Sequence, residues 1–96
     1  MITLDTLRRE KKAEILRLAE LHGASNIRVF GSVARGQNRE DSDIDFLVEF
    51  RQGSSLFDLI RLRLDLQELL GAPVDLVTPN SLRYVRDRVL AEASPL

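Results

Sequence analysis

Leu4, Leu7, Ile15, Leu18 and Leu21 recur at helical spacings among Arg, Lys and Glu, so residues 4–22 read as a charged amphipathic helix. Thr3 or Asp5 can cap its start, and Gly23 stands where it stops. Ile27 to Phe30 is a short β-rich run ended by Gly31-Ser32, and residues 31–42 predict a turn, a little helix and a loop. Ile44 to Phe50 alternates as a strand, with Ile44, Phe46, Val48 and Phe50 on one face. A turn at Arg51 to Ser54 leads to a helix over 56–70, capped by Ser54 or Ser55 and ended by Gly71. Pro73 to Thr78 is a third strand. Thr78-Pro79 then opens a last helix over about 80–92, with Leu82, Val85 and Val89 as its apolar stripe. The order αβαβαβα predicts an α/β domain: a small three-stranded mixed sheet flanked by about four helices.

The helix over 56–70 departs from a single stripe. Leu59, Leu62, Leu66, Leu69 and Leu70 form one apolar band and Phe57, Ile60 and Leu64 another. A helix apolar over about two thirds of its circumference has two contacts to satisfy, within its own fold or with a partner.

Composition narrows the chemistry. At 96 residues, 44% hydrophobic and 30% charged, the chain is one globular domain, with no internal repeat or linker. It has no cysteine, which removes disulfides, thiolate metal sites and a cysteine nucleophile together. Its one histidine, His22, builds no multi-histidine site and reads as a helix-end surface residue. The net charge of −1 and the mixed charges of the first helix, where Glu10, Glu14 and Glu20 offset Arg8, Arg9, Lys11 and Lys12, argue against a nucleic-acid surface. No apolar run approaches the roughly 18 residues of a membrane helix, so a soluble, cytoplasmic protein is expected. Any catalysis must come from carboxylates, hydroxyls and backbone.

Asp43 and Asp45 are two apart on the second strand and leave the same face, opposite Ile44 and Phe46. Asp75 interrupts the apolar run Val74 to Val77 and comes within reach if the strands pair. Two acids alone would read as a strand edge. Three are costly: carboxylates about 4 Å apart repel by roughly 4 kcal/mol at an effective dielectric near 20. Such hard oxygen donors suit Mg²⁺ or Mn²⁺, and three can hold two ions for in-line phosphoryl or nucleotidyl transfer. Gly31 and Ser32, at the end of the first strand, offer backbone amides and a hydroxyl to a phosphate. Arg35 and Arg39 follow within reach of a triphosphate.

Phe30-Gly31-Ser32-Val33-Ala34-Arg35-Gly36, Ser42-Asp43-Ile44-Asp45 and Val74-Asp75-Leu76-Val77 together resemble the nucleotidyltransferase superfamily related to DNA polymerase beta. Its signature is Gly-Ser, about ten residues, Asp-x-Asp and a third acid on a later strand; here ten residues separate Ser32 from Asp43. The length is that of the minimal nucleotidyltransferase (MNT) group, and no carried-over position departs from the pattern. The resemblance implies catalytic and metal-binding roles for Asp43, Asp45 and Asp75, two Mg²⁺ ions, ATP as substrate, and phosphate contacts from Gly31 and Ser32. MNT-group proteins act as antitoxins beside a HEPN-domain ribonuclease toxin. The implied function is therefore transfer of AMP from ATP to a hydroxyl of that toxin, a tyrosine, within a hetero-oligomer.

A chain this short leaves little room for an acceptor-binding module, which fits an acceptor carried by a docked protein. The alternative is an antitoxin that binds and occludes the toxin without catalysis, and the intact acidic trio weighs against it. Transfer to a small molecule or nucleic acid is disfavoured by size and charge. Tyr84 reads as a partly buried packing residue, with self-modification there left open.

Overall fold

The computed structural model describes residues 1–81 and 86–96. Helix α1 changes register along its length: α over Leu4–Thr6, π over Leu7–Lys11, and α again over Lys12–Leu21. Thr3 Oγ1 starts it by accepting a hydrogen bond from the Thr6 amide at 3.1 Å. The π turn has a packing cause. Leu7 and Ile15 are eight positions apart, which leaves them about 80° out of phase in a straight α-helix. One extra residue in the turn removes that offset, and both side chains are fully buried.

Strands β1 (Ala24–Phe30), β2 (Ile44–Phe50), β3 (Val74–Val77) and β4 (Ser94–Pro95) form one sheet in the order β3-β2-β1-β4. β1 runs antiparallel to β2 and β4, and β2 runs parallel to β3. The sheet is mixed, as expected, but has four strands where the sequence predicted three. A Ser-Pro pair carries no alternating signal, and Pro95 tolerates strand pairing because it lies on the sheet edge. The chain end is held there by the Leu96 amide, which donates to Ile27 O at 3.1 Å, and by Arg8 Nη2, which donates to Pro95 O at 2.8 Å. β1 also begins earlier than the expected Ile27. Ala24 pairs with Phe50 and Ser25 with Glu49. A bulge at Asn26, with φ of 50°, then shifts the register before Arg28 meets Leu47.

Between the strands lie α2 (Gly31–Arg35), α3 (Leu56–Leu70), a 3₁₀ turn at Pro79–Ser81 and α4 (Arg86–Glu92). A capping box starts α3, in which the Ser55 amide donates to Asp58 Oδ2 at 2.8 Å. The helix expected over 80–92 is thus a 3₁₀ turn at its start and an α-helix at its end. Leu82, Tyr84 and Val85 lie outside the described residues, and Val89 is buried.

One face of the sheet presents Ile27, Val29, Ile44, Phe46, Val48, Val74 and Leu76 to Leu7, Ile15 and Ala19 of α1 and to Leu62, Leu66 and Leu70 of α3. That is the core. Residues directly opposite in the ladder share a face, so Arg28 with Leu47, and Phe30 with Asp45, project to the other side. Leu47 is 0% exposed there, so the acidic face is partly covered. His22 differs from expectation: its Nε2 lies 2.6 Å from Asp65 Oδ2, and its side chain is only 14% exposed. It ties the end of α1 to α3. The second apolar band of α3 is uncovered, with Phe57, Ile60 and Leu64 exposed beside Leu56. Among the described residues, no helix is long and apolar enough to cross a membrane.

Candidate active site

Asp45 is the second residue of β2, and it is flanked on both sides in the ladder. Phe30, the last residue of β1, lies opposite it on one side and Asp75 of β3 on the other. Strands stand about 4.8 Å apart, so Asp45 and Asp75 are immediate neighbours on one face. Asp43 does not lie in the strand, as the sequence reading had it; it immediately precedes β2 and is exposed. Asp75 is also exposed, whereas Asp45 is partly buried. The apolar residues around them fix this arrangement: Ile44, Phe46, Val74 and Leu76 go into the core, which forces the alternate residues outward.

Gly31 stands where β1 turns into α2, with φ of 73°. A Cβ there would sit 2.1 Å from Asp45 Oδ2. Glycine is therefore required twice, for its backbone conformation and for the close approach of the carboxylate. The sequence pointed to this glycine as a phosphate contact, and its packing against Asp45 was not legible.

This crowding shows in Asp45's acidity. Its pKa is pushed up from 3.8 to about 6, first by burial, then by the charges of Asp75 and Asp43; the nearby Arg35 opposes the rise and Glu92 adds to it. Among the described residues no three His, Cys, Asp or Glu side chains form a ready-made metal cage. The donor set nonetheless fits a hard divalent cation, because a bound positive charge would stabilise the ionised Asp45 that burial and its acidic neighbours disfavour.

The other flank of the site is built from the end of β1 and the short helix α2. Phe30, in the cap position of α2, is extended and offers no side-chain cap, so no local side chain covers the first amides. Ser32 is partly buried in the first turn of α2. Arg35, in its last turn, donates from Nη1 to Glu92 Oε1 of α4 and from Nε to Gln37 Oε1 at 3.2 Å. Phe30, Gly31, Arg35, Arg88, Val89 and Glu92 line a shared cavity of about 180 Å³. Arg39 lies elsewhere, in a second cavity with Met1, Ile2 and Asn38, and its amide donates to Ser42 Oγ at 2.7 Å. Gly31, Asp45, Asp75 and Arg35 are thus gathered at one end of the sheet, and Arg39 is set apart from Arg35. Glu92 is the member that sequence reasoning missed. It is 57 positions from Arg35, and no local pattern marks it.

Adjacent carboxylates beside an uncapped helical turn are the arrangement that in-line nucleotidyl transfer needs. Comparison with known proteins agrees. The family described as nucleotidyltransferase domain matches residues 10–95. A Methanocaldococcus jannaschii protein, provisionally named a protein adenylyltransferase, is 47% identical over 85 residues, covering 88% of this chain and 91% of that protein. The protein adenylyltransferase MntA of Thermococcus cleftensis is 43% identical over 83 residues, covering 86% and 84%. A solved structure of a provisionally assigned minimal nucleotidyltransferase superposes with a TM-score of 0.86 at 51% identity, over 99% of this chain and 97% of that one. A more distant likeness, of fold alone, is to a structure of a tri-AMPylated Shewanella oneidensis HEPN toxin in complex with an MNT antitoxin. There the TM-score is 0.65 at 22% identity, over 88% of this chain and 66% of that one. This chain belongs to the nucleotidyltransferase domain family, whose relatives here carry the name protein adenylyltransferase.

Proposed function

We propose that this chain is an antitoxin enzyme that transfers AMP from ATP to a tyrosine hydroxyl of a cognate HEPN-domain ribonuclease toxin, silencing it. The observation that carries the reading is the pairing of Asp45 with Asp75 across β2 and β3, beside the Gly31 turn. The relatives' name supplies the class of acceptor, and the Shewanella oneidensis complex supplies the kind of protein that bears it.

In this mechanism the acceptor oxygen forms a bond to the α-phosphorus of ATP, the bond to the β-phosphate bridge breaks, and pyrophosphate leaves. The amides of Gly31 and Ser32, with the Ser32 hydroxyl, hold the β- and γ-phosphates, and Arg35 balances their charge. Asp75, exposed at the sheet edge, faces the side from which an acceptor arrives and takes its proton. Asp43 and Asp45 with Asp75 would hold Mg²⁺, which supplies charge neutralisation at the reacting phosphate when bound. Buried Leu47, two positions along β2 on the same face as Asp45, limits water on that side of the site, which strengthens interactions there. The arginine role stays with Arg35, since Arg39 lines the other cavity.

The exposed band Leu56, Phe57, Ile60 and Leu64 on α3 offers an apolar surface for the partner. A surface of that kind also serves an occluding antitoxin, and stoichiometry separates the two. A substoichiometric amount of this chain with ATP and Mg²⁺ should inactivate an excess of toxin, and the inactivity should outlast removal of the antitoxin. An effect that needs one copy per toxin site, works without ATP and is lost on separation would establish occlusion instead.

A further inference from the structure

Helix α2 is short and lacks a local cap, yet its first amide does not face solvent alone. The Glu92 carboxylate comes from α4 into the cavity that Gly31 and Arg35 line. There it accepts from Arg35 Nη1, the Glu92 side chain being 21% exposed and that of Arg35 open to solvent. The contrast with α3 is informative. That helix is capped by Asp58 from its own first turn, whereas α2 meets an acid from the far end of the chain.

We infer that Glu92 is a built-in competitor of the nucleotide: its carboxylate sits on Arg35 beside the Gly31 turn, in the place a nucleotide phosphate would take, and must withdraw for the nucleotide to bind. This rests on the phosphate-binding role proposed for Gly31, Ser32 and Arg35. Several features support the match of group and place. A carboxylate offers two oxygens to a guanidinium as a phosphate does. Glu92 is held more acidic than usual, first by its hydrogen bond to Arg35; burial opposes this, and the Arg35 charge, the Gly31 amide and the Arg88 charge add smaller lowering contributions. All three partners are ones a polyphosphate could use. Its charge also acts at a distance on Asp45, so both halves of the site feel the same anion. A seated carboxylate disfavours a second anion at the same donors, which makes vacancy by Glu92 a condition of tight binding.

The contact has a defined consequence for affinity. A site open for only a fraction of the time binds with its intrinsic dissociation constant divided by that fraction, so a carboxylate seated about nine-tenths of the time weakens binding about tenfold. Release of Glu92 also frees Arg35 and the end of α4, so nucleotide occupancy and α4 position are coupled. The competitor thus makes nucleotide-free and nucleotide-bound forms differ at α4.

The test is the dissociation constant of AMP-PNP with Mg²⁺, by calorimetry, for unaltered protein, Glu92→Gln and Asp87→Asn. Asp87→Asn removes the same charge from the same helix at an exposed position, so it controls for bulk electrostatics. Glu92→Gln should lower the dissociation constant by about three- to tenfold, with Asp87→Asn near the unaltered value. An unchanged or higher constant for Glu92→Gln overturns the inference and makes Glu92 a residue that positions Arg35. If the unaltered protein binds and only the tightening is missing, the nucleotidyltransferase reading stands; no binding by any form overturns both. A second measurement needs no variant. The ¹³C resonance of the Glu92 carboxyl in unaltered protein should move toward that of a solvated carboxylate as AMP-PNP is added. A resonance that stays at its starting position overturns the inference independently of how Glu92→Gln folds.

Discussion

Replacing Asp45 with asparagine in metal-free protein should stabilise the fold, and the gain should depend on pH. The side chain keeps its size beside Gly31, and none of the side-chain hydrogen bonds of the described residues involves it. What changes is the charge. Asp45 holds its proton with a pKa of about 6 in the folded protein, against 3.8 without the fold. The folded state therefore binds the proton more tightly, and the ionised carboxylate is a burden that grows as pH rises from below 3.8 to about 6 and is constant above. At about 1.4 kcal/mol per tenfold in proton affinity, the full burden is about 3 kcal/mol. Partial exposure to solvent reduces it to about 1–2 kcal/mol. For a domain of this size that raises the melting temperature by roughly 5–15 °C at about pH 7.5 in EDTA, with the gap falling by about half near pH 5. Calorimetry at both pH values checks it. Added Mg²⁺ should then stabilise the unaltered protein more than the variant, closing the gap. A variant that melts at or below the unaltered protein at about pH 7.5 would refute the claim that burial and carboxylate crowding strain this site.

Gly31→Ala should cost about 1–2 kcal/mol from its left-handed backbone, read by urea denaturation. Because the Asp45 side chain must swing away to admit the methyl group, AMP transfer should fall by about 10² or more, out of proportion to stability. Removal of residues 94–96 should lower stability by about 2–3 kcal/mol through loss of the buried Leu96. It should also promote self-association through the bared β1 edge, visible by light scattering. Leu64→Asp, on the exposed band of α3, should leave stability within about 0.5 kcal/mol and weaken the complex with the toxin, measured by surface plasmon resonance. Unchanged binding would move the interface elsewhere.

Legibility followed locality. β2 and α3 stand where the pattern put them, because one alternates cleanly over Ile44 to Phe50 and the other runs from a Ser cap to Gly71. Features that rest on distant contacts were hidden. Ser94–Pro95 becomes a strand only because β1 has an open edge beside it. Ser25 and Asn26 fell outside the expected strand, which began at Ile27, because a bulge, not an alternation, carries them. The π turn in α1 reconciles Leu7 with Ile15 through packing that no single helical period describes. In the site, the acids and Gly31 announced themselves, since charge in an apolar strand and glycine at a strand end are unusual locally. That Asp43 stops short of β2 was below the resolution of a two-residue pattern. Glu92 looks like any acid on a short helix until the fold sets it against Arg35.

The central claim, that Asp45 and Asp75 form a working nucleotidyl-transfer site aimed at a protein hydroxyl, is tested most directly by intact-mass spectrometry of the partner toxin. The toxin is incubated with ATP, Mg²⁺ and either the unaltered chain, Asp45→Asn or Asp75→Asn. Mass increments of one or more whole AMP units, mapped to tyrosine, are expected with the unaltered chain and none with either variant, while both variants still bind the toxin. AMP addition undiminished in the variants, or a toxin silenced by the unaltered chain with no change in mass, would contradict it.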